Sequence, residues 1–158
     1  MISHFDNNSE QRKLLHGIIS GIIAEEDLYK AVYFYGIEKK ISMIFSRILI
    51  SCRKRNPNSS IIRINAVDYY HNYLVAAIED YTKELRKQYR SCDMLLMDHF
   101  DKIGASCFIM EEFYELFDYH FIRGHPIIIA GSVCPRLING LPNRVRTQLE
   151  GGIIFQVE

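Results

Sequence analysis

The residues in this sequence best placed for chemistry are an acid and an imidazole that directly follow an apolar run. Met94-Leu95-Leu96-Met97 is followed by Asp98 and His99. An acid at the tip of a buried strand is a common place for a Mg²⁺ ligand, and a neutral imidazole beside it is able to act as a base. The run alone favours a simpler interpretation, a buried strand with a polar end.

A second candidate is the segment after the apolar run Ala31–Tyr35, which reads Gly36-Ile37-Glu38-Lys39-Lys40-Ile41-Ser42. A phosphate-binding loop needs several glycines, whose backbone amides curl around the ligand, and a lysine that reaches the outer phosphates. Only Gly36 and the hydroxyl of Ser42 fit, although Lys39 or Lys40 is near enough in sequence to approach a phosphate. Because branched and charged residues oppose the tight turn, we favour a solvated charged turn before a helix and expect no specific ATP binding.

Basic residues that could contact nucleic acid are confined to local patches. Lysine plus arginine and aspartate plus glutamate both number 19, so no overall field attracts the chain to nucleic acid or to a membrane. Helical spacing places Lys83, Arg86, Lys87 and Arg90 on one broad face. A charged helix face of this kind usually just contacts solvent. Arg86, Lys87 and Arg90 are nevertheless the sequence's candidate nucleic-acid contacts.

Five short runs rich in β-branched and aromatic residues would position these candidates. They are Ala31–Tyr35, Ile61–Asn65, Met94–Met97, Ile127–Ala130 and Ile153–Val157. Continuous apolar strands indicate a sheet covered on both faces, and their spacing requires parallel crossovers. The sequence therefore predicts a single α/β domain over residues 1–158, a three-layer parallel five-stranded sheet flanked by helices. Ligands bind such sheets beyond the carboxyl ends of the strands.

Helical periodicity fills the stretches between the strands. We expect helices over Leu14–Ala24 and Lys83–Arg90, and a C-cap at Gly124 for the last long helix. The inward positions predicted for the other three are Ile41, Ile44, Phe45, Ile48 and Cys52, then Tyr70, Leu74, Ala77 and Ile78, then Ile109, Phe113, Leu116, Phe117 and Phe121.

Several classes of protein are not expected. The four cysteines, Cys52, Cys92, Cys107 and Cys134, form no C-x-x-C pair, so neither a zinc site nor a disulfide framework is indicated. Residues 1–8 lack the basic and apolar stretches of a secretory signal, and no apolar run reaches the roughly 18 residues that span a bilayer. We expect a cytoplasmic location and no membrane partner.

Segments flanking the acidic strand carry a family resemblance. Arg90-Ser91-Cys92-Asp93 leads into the strand, and Glu111-Glu112-Phe113-Tyr114-Glu115-Leu116-Phe117 follows it. Further on come Ile127–Ile129, Pro135, Ile138-Asn139-Gly140 and Arg144 in the same order. Together they resemble the ATPase core of the bacterial replication initiator DnaA, over roughly Phe5 to Glu158. The resemblance implies an AAA+ core, which has the P-loop NTPase fold, and a function linked to DNA replication.

The same resemblance implies where a nucleotide site would lie and how it is altered. Ile41 falls at the position of the phosphate-loop lysine, so the Walker A motif is degenerate, while Ser42 and Asp98 fall at the Mg²⁺-binding positions. Asp98 would be a metal ligand only if nucleotide and Mg²⁺ bind. His99 replaces a second acid, and Ser132 lies at the position of the first sensor residue.

The last altered element is the arginine finger, which in this family reaches the ATP of the next subunit. Arg144 is retained, but the finger position falls on Gln148. The sequence also ends after the fifth predicted strand, so we expect neither a helical lid nor a helix-turn-helix domain.

The leading hypothesis is a non-hydrolysing DnaA-like protein that acts in replication initiation or its regulation through protein contacts. Its partner would be DnaA or another replication protein, with a homo-oligomer as a further form; no catalytic residue and no cofactor are expected. One alternative is a residual ATP/ADP-binding switch with Mg²⁺, using Gly36, Lys39, Lys40, Ser42, Asp98, Ser132 and Arg144. The other is a small DNA-binding module using Arg86, Lys87 and Arg90.

Overall fold

The computed structural model describes residues 4–104 and 106–158, with side chains described from Ser9 onward. Residues 1–8, on which the expectation about a secretory signal rests, therefore lie outside the described side chains. The helices are α1 (His4–Ile23), α2 (Glu38–Arg55), α3 (Ala66–Glu79), α4 (Thr82–Ser91), α5 (Cys107–Arg123) and α6 (Asn143–Glu150). The strands are β1 (Ala31–Gly36), β2 (Ile61–Asn65), β3 (Met94–Asp98), β4 (Ile127–Gly131) and β5 (Ile153–Val157).

The strands form one parallel sheet in the order β2-β3-β4-β1-β5. Every predicted strand is present within one residue of its predicted end, which confirms the α/β class. β4 lies at the centre, and all five of its residues are buried. A strand covered on both faces needs apolar side chains at every position rather than at alternate ones. That is why continuous β-branched runs predicted the sheet.

The first face of the sheet is covered by α1 and α2. The five predicted inward residues of α2, from Ile41 to Cys52, are all buried, which confirms that helix face. They pack with Ile18, Ile19 and Ile22 of α1 against β1, β4 and β5. This layer fixes α2 directly behind the end of β1, where a phosphate-binding loop would stand.

The second face is covered by α3 to α6, and here the predicted phase of α3 is wrong. Its buried residues are Ala66, Tyr69, Tyr73 and Ala76, whereas Ile78 is 84% exposed. The ring of Tyr69 lies 5.1 Å from those of both Tyr73 and Tyr89. Burying a large ring in such a cluster is more favourable than burying an aliphatic chain, and the tyrosines therefore set the helix phase.

The inward face of α5 is right except at its end, where His120 replaces the predicted Phe121. His120 is fully buried and Phe121 is exposed. The imidazole Nε2 lies 2.9 Å from the carbonyl oxygen of Tyr89, which gives the end of α4 a hydrogen-bond partner. The helix then ends as predicted at Gly124, which has a left-handed φ of 68°.

The free energy of unfolding is expected to decrease as the pH falls, because His120 is buried. Burial chiefly, and nearby His125 and Arg123, lower the pKa of its imidazole despite the hydrogen bond to Tyr89. The unfolded chain therefore takes up a proton as the pH falls through about 6.5 while the folded chain resists it. The free energy of unfolding should decline below that pH, by up to about 1.4 kcal/mol per pH unit for one proton.

Urea denaturation of the wild type and of His120→Gln between pH 7.5 and 5 measures this effect. The glutamine keeps an N–H for the Tyr89 carbonyl and does not titrate, so its pH slope should be shallower. Equal slopes in the two proteins would show that His120 is not responsible.

No helix among the described residues is long and apolar enough to cross a membrane.

Candidate nucleotide site

A single residue connects β1 to α2. β1 ends at Gly36 and α2 begins at Glu38. The expectation of a loop or turn over Gly36–Ser42 is therefore wrong, because most of that segment is the first turn of a helix whose Ile41 is buried. The first amide of α2 with a partner inside the helix is that of Ile41, which donates to Ile37. Only the first-turn amides before it can face a phosphate, and no glycine-rich loop stands in front of them to wrap around the ligand.

Gly36 makes this abrupt connection possible. Its φ is +127°, and a Cβ built on it would lie 2.1 Å from the carbonyl oxygen of Val157 in β5. The same carbonyl accepts a hydrogen bond from the amide of Ile37 at 3.0 Å. Gly36 is thus held against the neighbouring strand, and the space above it is closed on that side.

Glu38 and His99 face each other beside Asp98. Glu38 Oε1 lies 3.3 Å from His99 Nε2, which is 4.0 Å from Asp98 Oδ2. His99 has a left-handed φ of 54°, an uncommon conformation that turns the chain at the end of β3. The acid and imidazole that follow the third strand are therefore engaged with the first residue of α2.

The cavity left between these groups is small. Its volume is about 40 Å³, and its lining includes Gly36, Asp98 and Ser132, so the structure brings these three predicted residues together. Pockets that hold small-molecule ligands measure roughly 300–1,000 Å³. The space is of the size that one or two waters need, with acidic groups at its rim.

Ser132 is hydrogen-bonded to Asp101, an acid that no sequence motif indicated. Its Oγ donates to Asp101 Oδ2 at 2.6 Å and its amide donates to Asp101 Oδ1 at 3.0 Å. Burial is the largest single influence and raises the pKa of Asp101, but the two bonds from Ser132, the Asp101 backbone and the charge of Lys102 together lower it. Ser132 therefore holds the loop after β4 against the turn that follows β3.

The remaining predicted phosphate contacts lie outside this cavity. The Oγ of Ser42 accepts a hydrogen bond from Arg63 at 3.1 Å. The ammonium of Lys40 donates to the carbonyl oxygen of Glu158. Lys39 is exposed to solvent. None of the three lines the space beside Asp98.

Arg144 and the arginine-finger position Gln148 both lie against α5. The guanidinium of Arg144 pairs with Glu111 and stands 4.4 Å from the centre of the Tyr114 ring. Gln148 Nε2 donates to Asp118 Oδ1 at 2.9 Å and to the carbonyl of Tyr114 at 3.2 Å. These contacts join α6 to α5 within one chain.

The basic face of α4 is partly committed to ion pairs with α5. Arg86 forms a two-pronged contact with Glu112, at 3.1 Å and 2.5 Å, and Arg90 lies 3.3 Å from Glu115. Lys87 is exposed. The nucleic-acid role of Arg86, Lys87 and Arg90 stays a prediction.

Three acids that shape these sites had no clear signal in the sequence. Glu38 stood out only as one of the charged residues that oppose a tight phosphate loop, not as the partner of His99. Asp101 belonged to no motif, and Glu112 was part of the segment that carries the family resemblance but had no predicted partner. Acids three or four residues from a cation on one helix are found by spacing, but these pairs join different elements and appear only in the folded chain.

A family model described as the bacterial DnaA ATPase domain matches residues 14–156. Among curated relatives, the chromosomal replication initiator DnaA of Pelobacter propionicus is 26% identical over 133 residues, which are 84% of this chain and 30% of that protein. DnaA of Thermomicrobium roseum is 32% identical over 92 residues, 58% of this chain and 20% of that protein. The chain thus spans less than a third of the length of these relatives.

The solved structures with the same fold include initiators with nucleotide. AMPPCP-bound DnaA from Aquifex aeolicus superposes with a TM-score of 0.86 at 21% identity, covering 94% of this chain and 47% of that one. A DnaA bound to AMPPCP and single-stranded DNA gives 0.85 at 22% identity, covering 92% and 46%. DnaI gives 0.75 at 14% identity, covering 94% and 85%. At these identities the likeness shows the fold alone.

Proposed function

The chain belongs to the bacterial DnaA ATPase domain family, and on that premise we propose that it acts in replication initiation or its regulation through protein contacts, without hydrolysing ATP. Its partner is DnaA, another replication protein or a second copy of itself. The role is cytoplasmic. The AMPPCP and single-stranded DNA named for two relatives belong to those proteins.

The one-residue connection between β1 and α2 carries the proposal. A triphosphate is held by a loop whose successive amides point at its oxygens. Ile37 is the whole loop here, and its amide is already bonded to the Val157 carbonyl. A longer loop that wraps around a triphosphate would require unwinding the start of α2, whose Ile41 lies in the core.

Charge and space at the end of β3 support the same proposal. Glu38 opens α2 beside Asp98 and His99, and its negative charge would repel a phosphate that approached the start of this helix. A cavity of about 40 Å³ holds no nucleotide phosphate chain. These residues therefore do not fit ATP with Mg²⁺, and no catalytic step is assigned to them.

The finger side of the domain supports it as well. An arginine that completes a neighbour's site must project from its own subunit. The finger position instead holds Gln148, which bonds to α5, and the nearby Arg144 packs on Tyr114 and pairs with Glu111. Because these contacts hold α6 to α5 within one chain, this surface is better suited to binding a partner protein than to inserting a side chain into a neighbour's active site.

Measured ATP turnover tests the proposal. The purified 158-residue chain should release no phosphate from Mg·ATP above a blank, alone or with single-stranded DNA. The control is Asp98→Ala, which should give the same baseline. Turnover in the wild type that disappears in Asp98→Ala would refute the proposal, because only an active site built on β3 gives that pair of results.

A further inference from the structure

β5 is an edge strand with an unpaired side. Among the described residues it pairs with β1 alone, and the other end of the sheet is β2. The Val157 carbonyl points to β1, where it accepts from Ile37. Peptide groups alternate sides along a strand, so the N–H and C=O groups of Ile154 and Gln156 point away from the sheet. Within residues 4–104 and 106–158 they have no backbone partner, so they are available to another strand.

The two edges of the sheet differ in protection. Proteins usually guard an edge strand with a charged residue, a proline or a bulge. β2 carries Arg63, whose guanidinium reaches across to Ser42 and Ser46 of α2. β5 reads Ile-Ile-Phe-Gln-Val and has neither charge nor proline. An unguarded edge of five residues is suited to pairing.

A groove runs along each face of this edge. On the α1–α2 side a groove of about 840 Å³ has an apolar floor that includes Leu15 and Met43, with Arg12, Lys40 and Arg47 at its rim. On the opposite side a groove of about 580 Å³ is lined by Tyr35, Leu137 and Ile154, together with Arg136 and Glu150, whose charges are opposite. A strand that added to β5 would place alternate side chains in these two grooves.

The charges of the first groove select the occupant. Within the part of the chain that the structure describes, Arg12 and Arg47 are exposed and lie in no ion pair. Two unpaired cations beside an edge favour acidic side chains. Leu137, 65% exposed on the other side, favours apolar ones.

We propose that the β5 edge binds an extended segment of a partner protein as a sixth strand. Acidic side chains of that segment face Arg12 and Arg47, and the intervening apolar side chains lie against Leu137 and Ile154. The inference rests on the proposed protein-contact role and gives it a surface. That surface is formed by β5, α1 and α2, so its test is separate from the test of ATP turnover.

The probe is a fluorescein-labelled synthetic peptide of alternating glutamate and valine, eight residues long, titrated with the 158-residue chain and followed by anisotropy. A lysine–valine peptide of the same length is the charge control. The glutamate peptide should bind at least about tenfold more tightly, the effect of one well-placed charge pair. The double variant Arg12→Glu, Arg47→Glu should reverse this preference.

Gln156→Pro tests the backbone pairing, with Gln156→Ala as its matched control. Proline removes the outward N–H and is tolerated on an open edge, whereas alanine keeps it. The proline variant should bind about tenfold more weakly than the alanine variant at similar thermal stability.

Three outcomes overturn the inference: no binding of the glutamate peptide, equal affinity for both peptides, or equal binding by the proline and alanine variants. Should the proline variant fail to fold, the charge reversal alone decides. A dimer in sedimentation equilibrium that Gln156→Pro dissolves would make the occupant a second copy and overturn the proposed partner segment. Failure of peptide binding leaves the absence of ATP turnover untouched.

Discussion

Replacing Gly36 by alanine is expected to lower the free energy of unfolding by about 3 kcal/mol or more. Gly36 has a φ of +127°, a conformation that side chains other than glycine rarely adopt. The added methyl group would also meet the Val157 carbonyl oxygen at 2.1 Å. Relief requires β1 and β5 to separate where Ile37 bonds to Val157, so strain and a lost hydrogen bond add together.

Chemical denaturation of Gly36→Ala and Gly124→Ala separates the two contributions. Gly124 also has a positive φ, 68°, but a Cβ there meets nothing within 4 Å. Its replacement should cost only about 1 kcal/mol from backbone strain. Equal losses at the two positions would mean that Gly36 is not pressed against β5, and that the connection above it is more open than described.

Replacing Arg86 by alanine is expected to cost about 3 kcal/mol. Glu112 has only 9% of its side chain exposed and holds Arg86 through two hydrogen bonds. Without the guanidinium, the carboxylate is left in the interface between α4 and α5 with no partner. Removing one member of a buried pair costs more than removing both.

The double variant Arg86→Met, Glu112→Leu should therefore regain most of the stability lost in Arg86→Ala, as measured by urea denaturation. Lys87→Ala is the matched surface control and should change stability by no more than about 0.5 kcal/mol. A double variant as unstable as the single one would mean that the pair is not what the interface depends on. The result also bears on DNA-binding assays. Reversing the charge of Lys87 would test binding without disturbing stability, whereas reversing that of Arg86 would also break its pair with Glu112.

The sheet was predictable because its three central strands, β1, β3 and β4, are buried on both faces over most of their length. Runs such as Ile127–Ala130 leave few alternatives to a central parallel strand, and the structure places them there. Two helix faces were less predictable. α3 carries both aliphatic and tyrosine stripes, and only packing against Tyr89 decides between them. His120 is buried with its Nε2 against the Tyr89 carbonyl, a contact between two helices that periodicity does not reveal.

The sequence predicted where the candidate site lies but not how its main chain is arranged. The order of motifs located it, and the loss of glycines after Gly36 indicated that phosphate binding was impaired. The sequence did not reveal that the connection shrinks to Ile37, because a degenerate loop and an extended helix share the same residues. The Glu38–His99 contact depends on where α2 begins, and was hidden for the same reason.

Calorimetric titration of Mg·ATP into the 158-residue chain tests the central claim most directly. AMPPCP-bound DnaA from Aquifex aeolicus provides the positive control, since the same fold holds a nucleotide there. For this chain we predict no saturable heat up to about 1 mM nucleotide, which corresponds to less than about 4 kcal/mol of binding free energy. Saturable binding in the micromolar range that is lost in Asp98→Ala would contradict the account, because it would require an open phosphate site between β1 and α2.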